Sequence, residues 1–417
     1  MNLKLNLPFQ SQLQKFAKIE GKIPKTILFP FAIFTVLIFV MVSPMVSIKL
    51  HKSQPNFGDS LVCTELTRCR TLRHNENQRK KLILIYIINK NLPNSYLRRY
   101  WKRCFFVVGG NWAWLLNAIS VRFQNFNSKL GRSTVDFEGF LSSKIEPSHR
   151  FNSKEISAGK DFLRTVCPTE KFICLNIRDA SFDLCGPAQK KIHQAKREEY
   201  RNSKSWTYLQ ASEVLANMNF TVIRMGSIVK EPLASKHPRV IDYATNGMRT
   251  EFLDIFLAAQ CAFTVSNGTG WDAAPLTFRR PVIYVNHLPI SGPQTLSYPV
   301  IIYPKILVDQ KSGDLVNLKN AIGSNVSQSR VADEYTDAGV EIRDLSPEEL
   351  VEAVTEMAQR VEGTFVETPE QKEMQAKLKH ILSTHPKLQP SPNYYPIRAQ
   401  FASCFLSRYP NFLDGLD

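Results

Sequence analysis

Several motifs that would identify a common class of protein are missing from this chain of 417 residues. Its eight cysteines form no Cys-x-x-Cys pair and no repeated spacing, which argues against a structural zinc site and against a disulfide framework. No Gly-x-Gly-x-x-Gly follows an early strand, which disfavours a Rossmann dehydrogenase. No Asp-x-Asp pair stands on a loop where it could hold a divalent ion, and no internal repeat or low-complexity tract is present.

The positive charge of the chain is concentrated near its N-terminus. The formal net charge is +16, of which residues 1–25 contribute +4 and residues 49–103 contribute +10. The rest of the chain is almost neutral. Because the two basic blocks flank one apolar run and no recognised nucleic-acid motif accompanies them, the sequence favours an anionic membrane surface over nucleic acid as their partner.

The apolar run covers residues 26–48 and contains no charged residue. At 1.5 Å per residue, a helix of this length crosses a hydrocarbon core of about 30 Å. The run is too long and begins too far from the N-terminus for a cleaved signal peptide. We therefore expect a transmembrane or monotopic anchor, preceded by a basic interfacial segment over residues 1–25 that a disordered basic tail would match equally well.

Residues 171–286 alternate between apolar, β-branched runs and segments with helical character. This alternation predicts a parallel sheet covered on both faces, with any ligand lying beyond the carboxyl ends of the strands. The runs are KFICLNIRD (171–179), FTVIRMG (220–226), RVIDYA (239–244), CAFTVSNGTG (261–270) and RPVIYVN (280–286). Upstream, KKLILIYIIN (80–89) and RCFFVVGG (103–110) predict a second, smaller α/β unit.

Two arginines stand at predicted strand ends, Arg178 and Arg224. A guanidinium there can hold a diphosphate with two parallel hydrogen bonds, although Arg178 followed by Asp179 would also fit a structural ion pair. The SNGTG loop at 266–270 has the small residues and free backbone N–H groups of a phosphate-binding turn, and an ordinary tight turn explains it equally well.

The order of these pieces resembles bacterial glycosyltransferases encoded among surface-polysaccharide genes, which are distantly similar to the GDP-fucose-dependent O-fucosyltransferases. The matching motifs, over about residues 160–290, are Asn-Ile-Arg-Asp at 176–179, Tyr-Arg-Asn at 200–202, Arg-Met-Gly at 224–226, Asp-Tyr-Ala at 242–244, Asp-Ile-Phe-Leu at 254–257, the glycine loop and a strand ending in Asn286. Asn176 and Asp59 stand where the family has histidine, so no general base is identified, and we consider Asp179, Asp59 and His193 as candidates.

This resemblance implies a GT-B-like α/β fold, with two Rossmann-like domains of parallel sheet facing a cleft, to which the apolar run adds one predicted N-terminal membrane helix. It implies a metal-independent glycosyltransferase without a cofactor, which moves a sugar from a nucleotide-diphosphate sugar to a surface-polysaccharide or lipid-linked glycan acceptor. The alternative is a membrane-tethered nucleotide-binding or scaffold protein with decayed catalysis. The implied donor-binding residues are Arg178, Arg201, Asn202, Arg224, Gly226, Asp242, Tyr243, Ser266, Asn267, Gly268, Thr269, Gly270 and Asn286.

The expected domain organisation follows from these assignments. Residues 49–150 form an N-terminal Rossmann-like acceptor domain, residues 151–385 a C-terminal Rossmann-like domain for the sugar nucleotide, and residues 386–417 a tail packed on the fold. Only about a dozen residues separate the apolar run from the next folded segment, LVCTELTRCRTL at 61–72. We therefore expect the catalytic domain to lie against the cytoplasmic face of the inner membrane. We expect no nucleic acid as a partner.

Overall fold

A computed structural model shows two compact units, which we describe separately. Unit 1 comprises residues 1–134 and 144–150, and unit 2 comprises residues 135–143 and 151–417. The structure describes residues 25–42, 46–52, 56–78, 81–87, 94–104, 106–108, 115, 118, 136, 138–142, 145–169, 171–186, 190–291, 300–388 and 398–416. The predicted interfacial segment over residues 1–25 lies almost entirely outside the described residues.

Unit 1 contains a three-stranded parallel sheet in the order β1-β2-β3, in agreement with the predicted smaller α/β unit. Its elements are α1 Lys25–Val42, β1 Val46–Lys52, α2 Phe57–Gln78, β2 Lys81–Ile87, α3 Ser95–Cys104 and β3 Phe106–Val108. The apolar residues of α2 and α3 form much of its described core, among them Leu61, Leu66, Leu97 and Trp101.

The predicted anchor over residues 26–48 is wrong, and with it the location that depended on a single N-terminal anchor. Among the helices that the structure describes, none is both long and apolar enough to cross a membrane. Helix α1 ends at Val42 after 18 residues. The last residues of the apolar run pair instead with β2, where Val46 lies opposite Lys81.

Unit 2 is built around a seven-stranded sheet in the order β12-β9-β8-β7-β4-β5-β6, with all described neighbours parallel. This confirms the predicted α/β class with a parallel sheet. The strands are β4 Phe172–Asn176, β5 Thr221–Met225, β6 Val240–Ile241, β7 Thr264–Ser266, β8 Val282–His287, β9 Ile301–Pro304 and β12 Gln400–Phe401. A separate antiparallel pair consists of β10 Ile306–Asp309 and β11 Val340–Arg343.

The helices of unit 2 begin where the local sequence supplies caps. Ser346 and Thr368 each form a capping box ahead of a proline, as the sequence predicts, and so satisfy N–H groups that the first helical turn leaves unpaired. The helices are α4 Ser153–Val166, α5 Ser181–Cys185, α6 Ile192–Arg197, α7 Leu209–Asn217, α8 Glu251–Gln260, α9 Ala273–Thr277, α10 Leu318–Gly323, α11 Ala332–Asp337, α12 Pro347–Glu362, α13 Pro369–Thr384 and α14 Ser403–Arg408.

One edge strand of the unit 2 sheet, β12, comes from the C-terminal segment of the chain. Strand β12 pairs in parallel with β9, placing Phe401 opposite Ile302. Phe401 and Phe405 of α14 are both buried, with their ring centroids 5.7 Å apart. The segment predicted as a packed tail therefore contributes both a strand and a helix to this unit.

Candidate functional site

A cavity of about 450 Å³ lies in unit 2 at the carboxyl edge of the seven-stranded sheet. Its walls come from the segments that follow β4, β7 and β8 and from one later turn. The lining residues are Glu198, Tyr200, Arg201, Asn267, Gly268, Thr269, Asp272, Tyr284, His287, Leu288, Pro289 and Arg330. Because parallel strands end at one edge, this is the position at which open α/β sheets bind ligands.

The glycine loop is held in shape by its own side chains. The Asp272 carboxylate accepts a hydrogen bond from the Thr269 N–H at 2.5 Å, and the Thr269 hydroxyl accepts one from the Trp271 N–H at 3.1 Å. Gly268 donates its N–H to Ser266 at 3.3 Å. Burial raises the pKa of Asp272. Since these loop N–H groups already have partners, the loop shapes the cavity wall more than it offers donors to an anion.

Asn176, at the position where the resembling family has histidine, belongs to the same network. It is buried at the end of β4, and its Nδ2 donates to the Thr269 hydroxyl at 2.5 Å and to Asp272 at 3.3 Å. An amide that bridges strand and loop in this way fixes the loop. The geometry therefore gives Asn176 a structural task and accounts for its identity without any catalytic role.

Asn267 connects the loop to two other elements. Its Oδ1 accepts from the Arg178 N–H at 2.7 Å, and its Nδ2 donates to the Arg201 carbonyl at 3.1 Å and to the Ser203 hydroxyl at 3.2 Å. Asn267 is only 2% exposed, so these bonds form in a water-poor environment, where an unmade bond would be costly. The side chain therefore fixes the backbone that presents Arg201 to the cavity.

A network of five charged side chains adjoins the cavity, and two of its members, Glu198 and Arg201, line it. Arg178 contacts Asp183 at 2.5 Å and Glu198 at 3.0 Å, and Lys190 contacts the same two carboxylates at 3.1 and 2.6 Å. Arg201 completes the network at 3.1 Å from Glu198. Three positive groups thus face two negative ones. Burial raises the pKa of Glu198, but the hydrogen bond and charge of Lys190, with the two arginines, outweigh that effect and lower it.

Two arginines and one histidine also line the cavity. Arg201 Nη2 donates to the Gly268 carbonyl at 2.6 Å, which fixes its guanidinium against the loop. Arg330 is exposed and forms no ion pair with any residue that the structure describes. Burial, followed by the charges of Arg201 and Arg330, lowers the pKa of His287 to about 4, so its ring is neutral at physiological pH.

Four of the predicted donor-binding residues line the cavity: Arg201, Asn267, Gly268 and Thr269. Several others lie inside the fold. Arg224 is 0% exposed and donates from Nη1 to both oxygens of Asp242, at 3.1 and 3.2 Å. Asp242 also accepts from the Leu233 N–H at 2.8 Å. The structure therefore uses Arg224 and Asp242 to hold β5 against the following segment.

The remaining predicted donor residues also have partners or positions away from the cavity lining. The Tyr243 hydroxyl is buried against Thr250 and Asp254, and Asn286 accepts from the Leu345 N–H at 2.7 Å and donates to Tyr208 at 3.0 Å. The other residues of the predicted set that do not line the cavity are Arg178, Asn202, Gly226, Ser266 and Gly270.

None of the three predicted candidates for a general base lines the cavity. Asp179 accepts from the backbone N–H groups of Ser181 and Lys230, at 2.7 and 2.8 Å. His193 is exposed on α6, and Asp59 belongs to α2 of unit 1. Asp179 thus shapes the segment after β4.

Sequence reasoning missed several lining residues, chiefly Glu198, Tyr284, His287 and Arg330. His287 directly follows Asn286 at the end of β8, so the rule that ligands gather at strand ends could have found it. Arg330 follows a short turn and is distant along the chain from the end of any strand of the sheet. No pattern in the sequence therefore marks it as a lining residue.

Within the described part of the chain, no group of three or more His, Cys, Asp or Glu side chains could hold a metal ion. The expectation of a metal-independent and cofactor-independent protein remains a prediction. The cations at the cavity are the side chains just described.

Comparison with known proteins gives a likeness among solved structures only. No protein-family model matches the chain, and no curated protein sequence matches it. Among solved structures, the chain is similar to the crystal structure of the glycosyl transferase family 9 from Veillonella parvula DSM 2008, with 10% sequence identity and a TM-score of 0.44. The match covers 76% of this chain and 98% of that chain. A likeness at this level carries no argument about function.

Proposed function

We propose that this protein is a glycosyltransferase that binds a nucleotide-diphosphate sugar in the cavity at the carboxyl edge of the unit 2 sheet. The observation that carries the proposal is the pair of guanidinium groups, Arg201 and Arg330, on a cavity built at strand ends. The sequence motifs of the resembling glycosyltransferases lie on the strands and loops of the same unit, and supply the reaction class.

The charges of the site suit a diphosphate. The charged network carries one excess positive charge and Arg330 adds another, while the Asp272 carboxylate, which also lines the cavity, opposes them with one negative charge. Glu198 is engaged by three cations, and Asp272 is engaged by the glycine loop. A diphosphate diester carries two negative charges, and guanidinium groups bind phosphate oxygens with paired, charge-assisted hydrogen bonds. A volume of about 450 Å³ is within the range of small-molecule sites.

The reaction follows from what these groups neutralise. When the bond between the sugar and the diphosphate breaks, the electron pair and the negative charge remain on the leaving diphosphate. Cationic donors already in place stabilise that charge more in the transition state than in the bound donor. We propose Arg201 and Arg330 for this task. The hydroxyl oxygen of a surface-polysaccharide or lipid-linked glycan acceptor forms the new bond to the anomeric carbon, and the hydroxyl proton is released to solvent.

A second function is favoured by the fate of the predicted catalytic residues. Asn176 is committed to the glycine loop, and Asp179 accepts two backbone hydrogen bonds. This arrangement also suits a protein that binds a nucleotide sugar without transferring its sugar. Release of free nucleoside diphosphate from the bound donor distinguishes the two, because only the enzyme produces it.

The test is a thermal-shift and calorimetry screen with UDP-, GDP-, ADP- and dTDP-sugars, with CMP-sugars as the comparison that lacks a diphosphate, followed by Arg330→Ala. One donor class should raise the melting temperature, since a ligand that binds only the folded state stabilises it. Loss of one charge-assisted contact of about 1.5–3 kcal/mol weakens binding about 10- to 150-fold.

Arg164→Ala is the matched control, because Arg164 is 76% exposed on α4, pairs with Asp161 and does not line the cavity. It removes the same charge and should leave the affinity unchanged. If no nucleotide sugar binds at about 1 mM, a concentration that detects affinities as weak as about −4 kcal/mol, the proposal is refuted.

A further inference from the structure

His287 stands at the last position of β8 with its two ring nitrogens in different surroundings. Nδ1 is buried and has no hydrogen-bond partner. It faces Gly268, where an added Cβ would lie only 3.2 Å from Nδ1. Gly268 also has a φ of +88°, a conformation that glycine adopts without strain. The absence of a side chain at position 268 thus gives the imidazole room to lie against the loop.

The environment of Nδ1 determines which nitrogen carries the proton. A hydrogen on Nδ1 would be a buried N–H without an acceptor, which costs about 1–3 kcal/mol. A neutral imidazole avoids this by carrying its proton on Nε2 and leaving a lone pair on Nδ1. A doubly protonated ring cannot avoid it, so the same packing disfavours the imidazolium.

Nε2 is the nitrogen that reaches the cavity. It has no hydrogen bond to the described residues and, unlike Nδ1, it is accessible to solvent, while the His287 side chain lines the cavity. The titratable and charged groups that line the same cavity are Glu198, Tyr200, Arg201, Asp272, Tyr284 and Arg330. Of these, Arg201 and Arg330 repel a charge on the ring, and burial acts in the same direction.

We infer that His287 is a neutral hydrogen-bond donor, through Nε2–H, to an anionic oxygen of the diphosphate that Arg201 and Arg330 hold. This inference rests on the proposed function, since it assigns a further binding residue to the same site. A neutral donor gives the site a third contact to the anion without a third charge. Binding then requires no proton from solvent.

The inference is tested by calorimetry with the nucleotide sugar that the screen identifies, in buffers of different ionisation enthalpy. The diphosphate of such a donor is a diester without a titratable oxygen near neutral pH, so any proton taken up belongs to the protein. We expect close to zero protons bound per ligand and an affinity that changes by less than about threefold between about pH 5.5 and 8.5.

Substitutions of His287 distinguish the effect of its Nε2–H donor from the effect of its planar ring. His287→Phe keeps a planar ring without the N–H and should weaken binding on the order of tenfold or more, as for a lost hydrogen bond to a charged group. His287→Gln places an amide N–H near the position of Nε2 and should restore binding to within about threefold. His380→Gln, at an exposed histidine of α13, is the matched control and should bind as the unmodified protein does.

The ¹⁵N chemical shifts of the unmodified protein report the tautomer directly and do not depend on how a variant folds. They should show a neutral ring with its proton on Nε2, both with and without ligand. Uptake of about one proton at pH 5.5 that disappears towards pH 8.5, with affinity falling about tenfold or more over this range, would show a charged imidazolium and overturn the inference. Unchanged binding by His287→Phe would overturn it as well, while leaving the proposed function intact. Failure of every nucleotide sugar to bind would instead refute the proposed function, and this inference with it.

Discussion

Replacing Arg178 with alanine tests whether its guanidinium stabilises the fold, through the charged network beside the cavity, or binds the ligand. The sequence placed Arg178 first among the diphosphate-binding residues. In the structure its guanidinium contacts Asp183 and Glu198, with side-chain exposures of 12%, 8% and 30%, respectively. Burial, with the nearby charge of Arg201, lowers its pKa. We therefore expect the substitution to reduce stability first and to affect binding only as a consequence.

The size of the effect follows from the partners that remain. Removing one member of a buried ion pair costs about 3–5 kcal/mol when the other is left uncompensated. Here Lys190 stays 3.1 Å from Asp183 and 2.6 Å from Glu198, so neither carboxylate loses its last cation. We expect a loss of about 2 kcal/mol, which for a unit of this size lowers the melting temperature by about 4–8 °C.

Thermal and urea unfolding of Arg178→Ala, compared with Arg330→Ala, measure this difference. Arg330 is exposed and has no ion pair among the described residues, so its replacement should change stability by no more than about 0.5 kcal/mol. Calorimetry on the same two proteins should give the reverse order for loss of affinity. If Arg178→Ala melts with the unmodified protein and yet no longer binds the nucleotide sugar, Arg178 contacts the ligand and our assignment of the network is wrong.

Two further predictions concern the loop and the core. Gly268→Ala places a Cβ 3.2 Å from His287 Nδ1 and should weaken nucleotide-sugar binding. The control is Gly247→Ala, where φ is a similar +80° and the added Cβ meets nothing within 4 Å, so it should strain only the backbone. Equal affinities of the two variants for the nucleotide sugar, measured by calorimetry, would contradict this prediction. Burial raises the pKa of Asp254 to about 6, despite its contact with Arg249, so its contribution to stability is complete below its ordinary pKa and is lost as pH rises through about 6. Between about pH 4 and 6 the unfolding free energy of the unmodified protein should therefore fall by up to about 3 kcal/mol relative to that of Asp254→Asn. Parallel pH profiles of urea unfolding for the two proteins would refute this prediction.

The apolar run of residues 26–48 shows why composition alone does not identify a membrane helix. Leu28, Ala32 and Val36 of α1 form a buried cluster with Leu115, and the end of the run becomes β1. Hydropathy reports how strongly a segment avoids water and does not report what covers it. A run broken between a helix and a parallel strand has the same composition as a membrane helix.

The sequence by itself determined strands β4 to β8 of unit 2 and the caps of α12 and α13, because these features depend on neighbouring residues: apolar, β-branched runs, and Ser or Thr followed by Pro and by Glu or Gln. Only the tertiary structure decided which arginines meet the cavity. Arg224 lies within β5 and points into the core, where it meets Asp242. Arg201 and Arg330 come from separate connections and converge at the same edge of the sheet. The direction of a side chain and the approach of distant segments are set by packing, which no local pattern records.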